Sequence, residues 1–198
     1  MIGIVDYKAG NLNSVMKAFK FLGLESQIIS SVEDSHGVDK LVIPGVGSFG
    51  AAINNLKKQR LYEFVLDWLK ADRPFLGICL GFQLLFEGSE ESVEVSGFSV
   101  VEGKCSRIRG RKVPHIGWNK VRFVIKDPIV DGFNEEEYFY FVHSYAVLQT
   151  SSTVVGTTDY EQEFVSIVRS GNIYGVQFHP EKSGEAGLRL LYNWGTRC

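Results

Sequence analysis

The sequence predicts an α/β fold of three layers, with a mostly parallel central sheet, helices on both faces and antiparallel strands added in the C-terminal half. Three observations predict it. Up to about Gly97, short apolar runs alternate with amphipathic helical stripes. Those runs are apolar at nearly every position, as in strands buried on both faces. Beyond Gly97, strand-like runs follow one another with turn residues between them, and no helical stripe returns until residue 184.

Residues 1–7 read as a buried strand. Leu12, Val15, Met16, Phe19 and Leu22 recur at helical spacing, and Gly23 offers a stop. Residues 24–30 form a second strand candidate. Residues 40–43 form a third, ended by Pro44-Gly45-Val46-Gly47. Ser48 stands where it would cap a helix carrying Phe49, Ala52, Ile53 and Leu56. Leu61, Phe64, Val65, Trp68 and Leu69 make another helical stripe. Residues 75–78 give the fourth strand and 80–86 its helix. The later strand candidates are 98–108, 118–125, 138–148, 153–158, 164–168 and 173–178, and a helix over 184–194 closes the chain. With no linker, repeat or low-complexity segment, residues 1–198 are expected to form one domain.

Composition narrows the function. The chain has 198 residues, 44% hydrophobic and 22% charged, enough for a substantial core. A net charge of -2 without basic runs argues against nucleic-acid binding. The small cluster Arg107, Arg109, Arg111 and Lys112 reads as a solvated strand or loop. The start is too short and wrongly flanked for a signal peptide, and no apolar stretch approaches membrane-spanning length. Three cysteines without paired spacing point to a reducing, cytoplasmic setting. The histidines, His36, His115, His143 and His179, are dispersed, so neither a metal nor another cofactor is expected.

The chemistry centres on Phe75-Leu76-Gly77-Ile78-Cys79-Leu80-Gly81-Phe82-Gln83. An apolar strand ends at a thiol with glycines two positions away on either side. Small neighbours would let the chain turn sharply and present the sulfur with a helix N-terminus behind it, which favours thiolate. Taken alone, Cys79 also fits a buried structural cysteine. His179 and Glu181 stand two residues apart, and extended backbone would place both on one face. Such a pair can carry protons while the carboxylate fixes the imidazole. A His-Pro turn with an exposed glutamate fits the same residues. Pro180 biases His179 towards extended backbone. The Val46 and Leu80 N–H groups are the candidates for an oxyanion site. His143 ranks behind His179 as the catalytic histidine, because no carboxylate stands two residues away, and it also reads as a satisfied strand histidine.

Together, Pro44-Gly45-Val46-Gly47-Ser48-Phe49, Gly77 to Gln83 and Gln177-Phe178-His179-Pro180-Glu181-Lys182-Ser183 resemble the class I glutamine amidotransferases, a family with a flavodoxin-like fold and a Cys-His-Glu triad. The resemblance covers essentially the whole chain. Asp6-Tyr7-Lys8-Ala9-Gly10-Asn11-Leu12, Pro114-His115-Ile116-Gly117-Trp118-Asn119 and Phe141-Val142-His143-Ser144-Tyr145 look like the glutaminase subunits of imidazole glycerol phosphate synthases. This resemblance implies that Cys79, His179 and Glu181 hydrolyse glutamine through a thioester. It implies that Gly47, Leu80, Gln83, Ser144 and Tyr145 hold the substrate. It also implies a heterodimer with a (β/α)₈-barrel cyclase subunit that uses the ammonia, with Pro114, Trp118 and Asn119 near the interface. In this family glutamine hydrolysis is weak until the cyclase ligand binds, which makes the Val46 peptide a candidate switch. Lys8 departs from the usual glycine and Ala146 from a common aromatic. The rival readings are the same chemistry serving another synthase, a cysteine hydrolase on a similar elbow, and a non-catalytic regulatory subunit.

Overall fold

The computed structural model describes residues 1–8, 11–110 and 112–198. Ala9 and Gly10 of the 6–12 segment, and Arg111 of the basic cluster, lie outside the described residues. The first half reads β1 (Ile2–Val5), α1 (Leu12–Phe21), β2 (Ser26–Ile29), β3 (Lys40–Ile43), α2 (Phe49–Lys58), α3 (Tyr62–Lys70), β4 (Phe75–Ile78) and α4 (Leu80–Gln83). The second half reads β5 (Gly88–Ser89), β6 (Lys104–Arg107), β7 (His115–Phe123), β8 (Glu136–His143), β9 (Tyr145–Val147), β10 (Thr153–Asp159), β11 (Glu163–Ser170), β12 (Ile173–Val176) and α5 (Gly184–Arg197).

The main sheet has the order β2-β1-β3-β4-β12-β11-β10-β7-β8. From β2 to β12 every pairing is parallel. From β12 to β8 every pairing is antiparallel. β12 joins the two halves, and that junction builds the site described below. A second, smaller sheet has the order β5-β6-β9.

The layers follow from side-chain alternation. Along β3 and β4, Leu41, Ile43 and Phe75 enter one buried cluster with Phe49, Ile53, Val65 and Trp68 of α2 and α3. Val42, Leu76 and Ile78 enter the other, with Val15, Phe19, Leu190 and Trp194 of α1 and α5. Successive residues of a strand point to opposite faces, so each face collects its own helices.

Three elements differ from expectation. The helix expected over 80–86 stops at Gln83. The carbonyls of Leu84, Leu85 and Phe86 accept N–H groups from Phe98, Val100 and Ser99 instead of continuing a helix. Those bonds also keep most of 98–108 out of a strand, leaving β6. The run 138–148 divides at Ser144 into β8, which pairs with β7, and β9, which pairs with β6. Ser48 holds the N-cap position of α2 but makes no side-chain cap bond. Glu91 accepts from the Phe49 N–H at 2.6 Å and Ser92 Oγ from the Gly50 N–H at 3.1 Å, so a distant loop caps that helix.

Candidate active site

Ligand sites in parallel α/β sheets form at the carboxyl ends of the strands. Here Tyr7, Pro44, Cys79 and Gln177 lie just past β1, β3, β4 and β12. The parallel register of β4 and β12 places Ile78 opposite Val176. The Cys79 N–H continues that ladder, donating to the Val176 carbonyl at 2.8 Å. Residues a hundred apart in sequence thus meet at one strand end.

Cys79 has φ 54° and ψ −101°. For a residue with a side chain this is a strained conformation, worth about 1–3 kcal/mol. The cysteine itself makes the sharp turn, and the flanking glycines have a different role. Neither Gly77 nor Gly81 has a positive φ. A Cβ on Gly77 would lie 2.5 Å from the Gly81 carbonyl oxygen, and one on Gly81 would run into the Ile43 carbonyl. They are small because β3, β4 and the turn pack backbone to backbone. With α4 a single turn long, little macrodipole stands behind the sulfur.

His179 Nδ1 and Glu181 Oε1 are 2.8 Å apart, with both side chains about 1% exposed. The extended backbone expected for this pair holds only at His179, with φ −104° and ψ 92°. Glu181 sits in a 3₁₀ turn over Pro180–Lys182, so a turn rather than a strand brings the carboxylate under the ring. Ser183 Oγ donates to the His179 carbonyl at 2.6 Å and fixes the turn. Burial opposes charge on His179, but the Cys79 sulfur and then Glu181 outweigh it and raise the pKa to about 10. His179 Nε2 is buried without a hydrogen-bond partner. That nitrogen is free for a reacting group.

The Leu80 N–H donates to the Gly45 carbonyl at 3.5 Å. A trans peptide points its N–H opposite to its carbonyl. The Gly45–Val46 peptide is trans, so the Val46 N–H is turned away from the Leu80 amide. Of the two oxyanion candidates, one is weakly engaged and the other averted. Tyr7, fully buried, donates from its hydroxyl to the Pro44 carbonyl at 2.8 Å and anchors the base of this loop. Burial, and then Cys79, push the Tyr7 pKa up. A Cβ on Gly45 would strike that hydroxyl, and Gly47 has φ +110°, so both glycines are required.

A cleft of about 260 Å³ opens over the sulfur. It is slightly below the range of ~300–1,000 Å³ typical of larger ligands and suits a small metabolite. It brings together Val46, Gly47, Cys79, Leu80, Gln83, Ser144 and Tyr145, with Pro114 and His143 also on its wall. A larger cleft of about 990 Å³ beside Phe123 and Asp127 holds none of these residues.

Several of the expected positions already have partners within the chain. Gln83 donates from Nε2 to the Tyr145 carbonyl at 2.9 Å and to Gln177 Oε1 at 3.1 Å. Asn119, expected at an interface, instead donates to the Asp159 carbonyl at 2.9 Å and meets His115 Nε2 at 3.3 Å. Trp118 is 56% exposed and packs edge-on against Tyr140, which excludes it from the core. Lys8 has φ 61°, a backbone that glycine adopts readily, and its amine pairs with Asp6 at 3.0 Å. Ala146 is fully buried.

Two residues of the site escaped the sequence reading. Gln177 donates from Nε2 to Cys79 Sγ at 3.8 Å. Glu91 lines the cleft while capping α2. Gln177 had a signal, since it opens the His179 segment two residues before the histidine. Glu91 had none, because it lies in an irregular loop.

The family model "Glutamine amidotransferase class-I" matches residues 3–197. Among curated relatives, "Imidazole glycerol phosphate synthase subunit HisH" of Methanocaldococcus jannaschii is 43% identical, covering 98% of each chain. The subunit of the same name from Thermococcus kodakarensis is 47% identical, again over 98% of each chain. Among solved structures, one described as a glutamine amidotransferase superposes with a TM-score of 0.77 at 17% identity, over 96% of each chain. PurLQS from Thermotoga maritima gives 0.76 at 18% identity, over 97% of this chain and 95% of that one. These two structures speak for the fold.

Proposed function

The chain belongs to the class-I glutamine amidotransferases, and on that premise we propose that Cys79, His179 and Glu181 are its catalytic triad. The function is that of the glutaminase subunit of imidazole glycerol phosphate synthase, which hydrolyses glutamine to glutamate and ammonia for histidine biosynthesis. A cyclase subunit is the partner, and we assign it a (β/α)₈ barrel. The observation that carries the triad is the strained Cys79 beside a buried His179–Glu181 pair bonded at 2.8 Å.

The mechanism follows from the charges. Sulfur attacks the side-chain carboxamide of glutamine, forming an S–C bond and an oxyanion. His179, held protonated by Cys79 and Glu181, gives its Nε2 proton to the departing nitrogen. The C–N bond breaks, ammonia leaves and a glutamyl thioester remains. Neutral His179 then takes a proton from water, whose oxygen attacks the thioester. Glutamate leaves and the sulfur is restored. Gly47, Gln83, Ser144 and Tyr145 hold the substrate, and the Glu91 carboxylate on the cleft wall suits its α-ammonium group.

The resting loop explains an idle enzyme. With Gly45 on the Leu80 N–H and Val46 averted, the oxyanion has no free pair of donors. One flip of the Gly45–Val46 peptide withdraws the carbonyl and swings the Val46 N–H in. Each oxyanion donor is worth about 10²–10³ in rate. Trp118 on the exposed side of β7 and Pro114 just before that strand are the proposed contacts with the cyclase. The thioester tests the triad: acid-quenched complex turning over glutamine is expected to carry one glutamyl group on the Cys79 peptide. An adduct on Cys105 or Cys198, with Cys79 unmodified, would overturn the assignment.

A further inference from the structure

The mechanism leaves two buried histidines unused. His115 of β7 and His143 of β8 are register partners, and His115 Nδ1 lies 3.1 Å from His143 Nε2. Both are more than nine-tenths buried. His143 Nδ1 lies 2.9 Å from the Tyr145 carbonyl, which can only accept, so Nδ1 carries the proton. Burial above all, with His115 and His179 adding to it against the Tyr145 carbonyl, holds His143 down to about 3. Burial likewise holds His115 down to about 4. Both rings are therefore neutral at neutral pH. His143 Nε2 then accepts, and His115 Nδ1–H donates to it. His115 Nε2 accepts from Asn119 Nδ2. The Asn119 amide is itself oriented, because its Oδ1 accepts the Lys120 N–H at 2.8 Å. Each ring nitrogen is committed, and a second proton on either ring would find a donor facing it.

The chain of bonds continues to the nucleophile. The Tyr145 carbonyl that receives His143 also receives Gln83 Nε2, whose other proton goes to Gln177 Oε1. Gln177 Nε2 in turn donates to Cys79 Sγ. We propose that the His115–His143 pair positions the site for glutamine hydrolysis, fixing the Tyr145 carbonyl and, through it, the Gln83 and Gln177 amides against the Cys79 sulfur. His143 lies on the cleft wall, but its ring nitrogens bond to His115 and to the Tyr145 carbonyl rather than to the sulfur, so the pair acts through Tyr145. It also ties that carbonyl to β7, the strand that exposes Ile116 and Trp118.

This inference rests on the glutaminase reading, and the test separates the two. His115 is stacked between Phe141, with centroids 4.9 Å apart, and Tyr160, at 4.0 Å. His115→Phe keeps the stack and removes the donor. His115→Asn keeps an amide N–H near the Nδ1 position. In the complex with the cyclase subunit, His115→Phe is expected to lower kcat/KM for glutamine about tenfold or more, the scale of one unsatisfied buried acceptor. Turnover with added ammonium is expected to stay unchanged, and His115→Asn to recover most of the loss. Equal impairment of the Phe and Asn variants, or none in the Phe variant, would overturn the proposal. Imidazole nitrogen spectra of the unmodified chain at neutral pH give an arm independent of activity. Both rings are expected neutral with the proton on Nδ1, and an Nε2–H tautomer or a charged ring at either position would overturn it. A complex inactive on glutamine with His115 intact would instead strike the glutaminase reading.

Discussion

His179 is held protonated by neighbours that oppose its burial, the Cys79 sulfur first and then Glu181. The cysteine stands in a strained conformation, and the imidazole is buried yet raised to about 10. A pKa raised on folding means that the folded chain binds the proton more tightly than the unfolded one. This contribution to stability is complete below about pH 6.5 and fades as pH rises towards 10. Cys79→Ala removes the sulfur's part and leaves that of Glu181. Its fading is therefore expected to begin near the same pH as the parent's but to end at a lower pH, with a smaller total loss. Unfolding midpoints across the neutral-to-alkaline range check this, and curves of the same shape for both proteins would refute it.

The loop between β3 and α2 is the element proposed to decide when the site works. Tyr7 pins its base, Gly47 supplies the left-handed turn, and the Gly45–Val46 peptide holds the resting orientation. Val46→Pro deletes the N–H that is proposed to enter the oxyanion site. Its partner-stimulated kcat is expected to fall by about 10²–10³ with little change in KM. Full stimulation in Val46→Pro would contradict the switch. This loop was legible in the sequence because an apolar run ends abruptly at proline and glycine. The strand before Cys79 was legible for the same reason. The Glu91 and Ser92 cap was not, because its bonds reach 42 residues along the chain from a loop without periodicity. The role of Gly77 and Gly81 was half legible: their smallness was evident, but the backbones they admit belong to other segments. The His115–His143 pair depends on the register of two long strands, which neither strand encodes alone.

At the scale of the molecule, strand order does the assembling. β12 returns beside β4 and delivers Gln177, His179 and Glu181 to the cysteine. The added antiparallel strands bring Ser144 and Tyr145 over the cleft and expose Trp118 on β7. On the proposed reading, one side of the added layer serves the substrate and the other meets the second subunit. Such an arrangement suits ammonia, which must stay unprotonated to act as a nucleophile and gains from direct transfer between subunits. The most direct measurement is glutamate release by the parent and by Cys79→Ala, each alone and with the cyclase subunit and its ligand, alongside turnover on added ammonium. The parent is expected to be nearly idle alone and strongly stimulated in the complex. Cys79→Ala is expected to release no glutamate in either state while its complex still uses ammonium. Glutamate release persisting in Cys79→Ala would contradict the assignment of Cys79 as the nucleophile.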